Sequence, residues 1–146
     1  MLNVRDYSLN DFNEISQLWN DTGMGGSARG DHEETIERTL RAGGKLFILE
    51  NTATKEIVGT SWLTHDQRRI YMHHFGIKPA YQRKGFARLL LKSSIDFAKK
   101  SGMQIKIEVH RDNLKAIQMY EKSGFKNLGD FEVYIIRDYN AIPESL

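Results

Sequence analysis

The sequence predicts a mixed α/β domain, and three patterns carry that expectation. Short apolar or alternating runs recur at 2–6, 45–50, 57–63, 70–77, 104–110 and twice within 125–137. Apolar positions at helical spacing recur at 9–19, 31–40, 86–100 and from 113 to 123. The two kinds are interleaved in the order strand, two helices, three antiparallel strands, helix, strand, helix, two strands, which calls for about four helices on a mostly antiparallel mixed sheet of about seven strands.

In chain order, Leu2–Asp6 reads as an edge or half-buried strand, and Ser8 with Asp11 caps a first helix bearing Phe12, Ile15, Leu18 and Trp19 on one face. Residues 20–30 form a glycine-rich loop. Its Gly23-Met24-Gly25-Gly26-Ser27-Ala28 matches a dinucleotide-binding pattern formally, but that fingerprint works between a strand and a helix, and here a helix precedes it. Such a loop suits the border of an acceptor site. Asp31 and Glu34 cap a second helix that ends at Gly43-Gly44. Residues 45–50 and 57–63 form a hairpin, 70–77 a central strand closed by Pro79, and 86–100 a broad-faced helix stopped by Ser101-Gly102. A strand over 104–110, a helix from Asn113 to Gly124 and a final hairpin around Gly129-Asp130 complete the series, with 139–146 as a frayed tail.

Composition narrows the function classes. The 146 residues suffice for one domain, 1–146, with a real core, and no signal-peptide or membrane-length apolar run is present, so a cytoplasmic location without membrane contact is expected. Cysteine is absent, which removes disulfides, thiolate metal sites and a cysteine nucleophile. A formal net charge of +2, with local basic clusters in place of a stripe, argues against nucleic acid and for a small anionic ligand.

The chemistry-bearing stretch is Gln82-Arg83-Lys84-Gly85-Phe86-Ala87, between the strand ending at Ile77 and the helix that follows. The first N–H groups of a helix lack intrahelical partners and carry partial positive charge, which suits a phosphate. Gly85 permits close backbone approach, and Arg83, Lys84 and Arg88 add cations suited to a pyrophosphate.

Two motifs on these elements resemble those of the GNAT family of acyl-CoA-dependent N-acyltransferases. The first is Q/R-x-x-G-x-G/A, present as Gln82 to Ala87. The second is E-V-x-x-x-N-x-x-A-x-x-x-Y-x-x-x-G-F, read from Glu108 through Asn113, Ala116 and Tyr120 to Gly124-Phe125. Nearly the whole chain is covered, and the second motif looks most like the ribosomal-protein alanine acetyltransferase branch.

The resemblance implies a GNAT-like fold, splayed between the fourth and fifth strands, that uses acetyl-CoA as co-substrate. It assigns the cofactor to Phe75, Gly76 and Ile77 at the end of the fourth strand, to Gln82, Arg83, Lys84, Gly85, Phe86, Ala87 and Arg88, and to Asn113, which also reads as a plain helix cap. It assigns Tyr120 as the proton donor to the leaving thiolate and a backbone N–H near Ile77 to the developing oxyanion. It makes Glu108 the first candidate for the base that neutralises the attacking amine, with His73 as the runner-up. Without a cysteine, transfer in a ternary complex is direct.

Other readings differ in class. A catalytically idle CoA-binding module keeps the cradle and has no use for Tyr120. A nucleotide-phosphate binder lacks its G-x-x-x-x-G-K-[ST] loop. A metal at His65, Asp66, His73 and His74 is disfavoured, because adjacent strand residues point to opposite faces. The acceptor is a small-molecule amine or peptide α-amine, bordered by loops whose Asp21, Arg29, Asp31, His32, Asp66, Arg68 and Arg69 favour no single charge. An edge strand near the C-terminus offers a homodimer contact.

Overall fold

The structure is a computed structural model that describes residues 1–145, in two compact units, residues 1–108 and the described residues from 109 onward. In the first unit, β1 (Leu2–Asp6), β2 (Lys45–Asn51), β3 (Ile57–His65), β4 (Arg69–Ile77) and β5 (Gln104–Ile107) form one sheet in sequence order. The first four pair antiparallel, and β5 lies parallel to β4. Helices α1 (Phe12–Thr22), α2 (Glu33–Arg41) and α3 (Ala87–Ser101) pack against the sheet.

The alternation of each strand decides which helix it meets. Leu46, Ile48 and Trp62 join Ile15, Leu18 and Trp19 of α1 and Ile36 of α2 in one core cluster. Leu49, Val58 and Ile77 join Leu90 of α3 in another. Each fully buried side chain of this size contributes roughly 1.5–3 kcal/mol relative to exposure. On the α3 side the hydroxyls of Ser61 and Ser94 meet at 2.7 Å, so these two buried polar groups satisfy each other.

Two irregularities shape β4. Its ladder to β5 ends at Met72↔Ile107, whereas its ladder to β3 runs on to Gly59↔Ile77. From His73 onward β4 therefore has a ladder partner on its β3 side alone. A bulge also interrupts the β3 side, where Trp62 faces His73 and Thr60 faces Gly76, with His74 at φ 45°. The Thr60 hydroxyl donates to the His74 carbonyl at 2.7 Å and holds the bulge.

In the second unit α4 (Leu114–Lys122) begins at Asn113, whose Oδ1 accepts from the Ala116 N–H at 3.3 Å. The plain helix cap is therefore formed. Helix α4 closes on the Tyr120 and Phe125 rings, edge to face at 5.6 Å between centroids.

The expected seven strands reduce to five among the described residues. Residues 125–137 form no ladder, although the turn is present: Gly129 has φ +82° and its N–H donates to Asn127 Oδ1 at 2.7 Å. Phe131, Val133 and Ile135 alternate as a strand should, yet they are 79 %, 68 % and 68 % exposed. Alternation records fitness for a half-buried pleated surface and does not supply the partner strand. β5 likewise stops at Ile107, short of the expected His110, because the chain turns there and the Asn113 N–H bonds the His110 carbonyl.

Candidate active site

The turn after β4 leaves a row of backbone donors unengaged. Pro79 to Tyr81 forms one 3₁₀ turn, anchored where the Tyr81 hydroxyl donates to Glu56 at 2.8 Å. The chain then opens through Arg83 at φ 64° and Gly85 at φ +80°. The N–H groups of Arg83, Lys84, Gly85 and Phe86 donate to no acceptor among the described residues. Four successive donors thus stand ahead of a 15-residue helix, at the position where the sequence puts the candidate cradle. No heavy atom lies within 4 Å of where a Gly85 Cβ would stand, so the approach to this backbone is open.

Gln82 joins the cradle to the strand. Its Nε2 donates to the Ile77 carbonyl at 3.0 Å, which fixes Phe75, Gly76 and Ile77 relative to Gln82 through Arg88. Gly76 carries the Met24 thioether: a Cβ there would stand 2.7 Å from Met24 Sδ. The loop after α1 thus covers the end of β4.

That loop is held by a pair the sequence did not reveal. His74 Nε2 lies 2.8 Å from Asp31 Oδ2, and the same oxygen accepts from the Gly26 N–H at 2.7 Å. Trp19 packs on the His74 ring at 4.4 Å between centroids and stacks on Trp62 at 5.7 Å. Gly25 is needed here because a side chain would overlap both His74 and Asp31. The apparent dinucleotide motif is a close-packing device.

The candidate base lies on the α1–α2 face of the sheet. Trp62↔His73, Thr64↔Tyr71 and Tyr71↔Lys106 are register partners, so these side chains share that face, and Glu108 has the parity of Lys106. Its carboxylate accepts from the Tyr71 hydroxyl; burial and this carboxylate hold the Tyr71 phenol well above its ordinary value. Sequence reading missed Tyr71, although its strand parity with His73 was visible.

His73 is a weaker candidate. Burial, then its neighbour His74, push its imidazole down to about 4, against an opposing pull from Glu108 and Asp31. Its Nε2 meets the Thr64 hydroxyl at 2.8 Å, and Tyr71 stacks on its ring at 4.2 Å. It is neutral at pH 7 and holds its place in the packing.

Tyr120 and Asn113 belong to the second unit. Tyr120 is 7 % exposed, and burial pushes its phenol up to about 12, so it keeps its proton at neutral pH. Among the described residues no group of three or more His, Cys, Asp or Glu is placed to hold a metal, and no helix is long and apolar enough to cross a membrane.

The sequence profile of the Acetyltransferase (GNAT) family matches residues 12–125. The chain belongs to the GNAT family. Over 58 residues it is 40 % identical to the N-alpha-acetyltransferase RimI of Mycobacterium tuberculosis, a match spanning 40 % of this chain and only 35 % of that protein. Over 126 residues it is 28 % identical to an acetyltransferase of Yersinia pestis strain Pestoides F, covering 86 % of this chain and 88 % of the other. Glucosamine-6-phosphate N-acetyltransferase from Arabidopsis thaliana superposes with a TM-score of 0.78 at 14 % identity, over 94 % of this chain and 99 % of its own. A Trypanosoma brucei acetyltransferase does so with a TM-score of 0.75 at 19 % identity, over 93 % and 100 %. These two likenesses show the fold. As a GNAT protein the chain is an acyltransferase of a family that uses acetyl-CoA.

Proposed function

We propose that this protein transfers an acetyl group from acetyl-CoA directly to a primary amine, on a small molecule or a peptide N-terminus. The observation that carries this reading is the row of unengaged N–H groups at Arg83–Phe86, tied by Gln82 to the unzipped end of β4. A pyrophosphate fits those donors, and Phe75, Gly76 and Ile77 present strand backbone where an extended pantetheine arm would run. Asn113 is assigned to the same cofactor from its motif position. Acetyl-CoA supplies the activated thioester.

The protein's own groups manage two protons. An attacking amine is protonated near pH 7, with a reference pKa of about 8 for an α-amine and about 10.4 for a lysine-like amine. Glu108, steadied by Tyr71, takes that proton directly or through water. The Tyr120 hydroxyl holds a proton for the departing sulfur, whose conjugate acid lies near 8.5. The Ile77 backbone N–H is assigned to the charge that develops on the carbonyl oxygen.

The exposed alternation at Phe131, Val133 and Ile135 supports a homodimer in which a second copy supplies the missing strand partner. Sedimentation at rising concentration checks this reading, and a monomer throughout contradicts it.

The function is tested by following free thiol released from acetyl-CoA against a panel of amines, with product masses recorded. Amine-dependent thiol release and a product heavier by one acetyl group are expected. Acetyl-CoA binding with no amine acetylated would leave only an idle CoA-binding module.

A further inference from the structure

We propose that the acceptor is a small primary amine that also carries an anionic group, a carboxylate or phosphate, held by Arg69 and Lys106. This rests on the acyltransfer reading above and deepens it by giving the substrate a charge.

A groove of about 360 Å³ on the α1–α2 face is lined by residues 64–66, 68–71, 73 and 106. Its size suits a small molecule. Strand register places Tyr71 and His73 along its floor and Lys106 beside Tyr71, with the Lys106 ammonium 5.8 Å from the Tyr71 ring centre. Glu108 is reached through the Tyr71 hydroxyl. One lining residue, Tyr71, is thus the partner of the candidate base.

Within the first unit the acidic loop residues Asp31 and Asp66 are already engaged. Asp31 is 8 % exposed and is occupied by His74 and the Gly26 N–H. Asp66 Oδ1 accepts from the Arg68 and Arg69 N–H groups at 2.9 and 2.7 Å, and its Oδ2 lies 3.4 Å from the Arg68 guanidinium. These contacts commit Asp66 to its own turn and to Arg68. His73 is neutral and Glu108 is engaged with Tyr71. Arg69 and Lys106 remain, and neither forms an ion pair among the described residues. Two cations without ion-pair partners, in a groove whose Tyr71 bonds the candidate base, select a molecule with an anion at one end and an amine at the other.

Strand geometry sets the length of that molecule. Glu108 is the first residue past β5 and two positions beyond Lys106, which at strand rise separates them by about 6.6 Å. An amine at Glu108 and an anion at Lys106 therefore fit a chain of two to four atoms between the charges. A guanidinium also takes a carboxylate or phosphate by two parallel hydrogen bonds, which favours Arg69 as the orienting contact.

Two measurements test the proposal independently. In the first, amide chemical shifts of the full chain are followed while β-alanine, O-phosphoethanolamine, ethanolamine and β-alaninamide are added separately. Saturable shifts centred on Arg69 and Lys106 are expected with β-alanine or O-phosphoethanolamine, and which of the two responds distinguishes carboxylate from phosphate. They should weaken with added salt and vanish in the Arg69→Gln/Lys106→Gln double variant. Equal responses to the neutral amines, or none to either anionic probe, would overturn the proposal. In the second, acetylation rates of the same four amines are compared. Preference for an anionic amine of about tenfold or more in kcat/KM is expected, lost in the double variant. Neutral amines acetylated as well as anionic ones would also overturn it. Anion binding without any acetylation would instead remove the acyltransfer reading and leave the groove assignment standing.

Discussion

His74 and Asp31, separated by 43 positions in sequence, meet at 2.8 Å between Nε2 and a carboxylate oxygen and tie the loop after α1 to the bulge of β4. The pair sits under Gly25 and beside Trp19, in a space that leaves no room for a Gly25 side chain. Removing one partner leaves the other buried and underbonded. Asp31→Asn and Gly25→Ala should each lower unfolding free energy by about 1–3 kcal/mol. Denaturant melts check this, and an unchanged midpoint for both would show that the loop is not held by this pair.

Glu108 is the base of the account, so Glu108→Gln should reduce kcat by about 10²-fold or more at pH 7, less at high pH where the amine loses its own proton. His73→Gln should change kcat by less than about threefold, since an imidazole depressed to about 4 is a poor base for an amine. The reverse ranking in a pH–rate comparison would move the base to β4.

Tyr120→Phe keeps the ring and removes the proton. With the phenol pushed up to about 12, the wild type should show no alkaline loss of kcat from this group below about pH 10. The variant should lose about 10²-fold in kcat with acetyl-CoA affinity unchanged. A wild-type kcat in Tyr120→Phe would leave the tyrosine as core packing.

His73 also makes stability depend on pH. The unfolded chain takes up this proton near pH 6.5 and the folded chain near 4, so the unfolded state holds more protons between those values. The contribution is complete above about pH 6.5 and is lost as pH falls to about 4, amounting to roughly 3 kcal/mol at most. His73→Gln should flatten that part of the stability profile; an unchanged slope in acid denaturation would contradict it.

The turn after β4 and the elements around it were legible in the sequence because helix starts, strand ends and glycine positions are local signals. Gln82 to Arg88 lie where the pattern placed them, at the junction of β4 and α3. What it could not show was long-range. Tyr71 meets Glu108 only through strand pairing, and Asp31 meets His74 only through a loop that folds back. Asp31 therefore read as an acceptor-site charge although it is buried and spoken for. The final hairpin failed for the same reason: its turn is local and forms at Gly129, whereas its ladder needs a partner that alternation cannot supply.

The most direct measurement is calorimetric titration of acetyl-CoA into the wild type and into Gly85→Glu. Gly85 has φ +80° and an open space where a Cβ would stand, so the substitution strains one turn and places a carboxylate among the unengaged N–H groups. Micromolar-range binding by the wild type is expected, abolished in the variant with its fold intact by circular dichroism. No binding by the wild type, or equal binding by both, would contradict the cradle as the cofactor site.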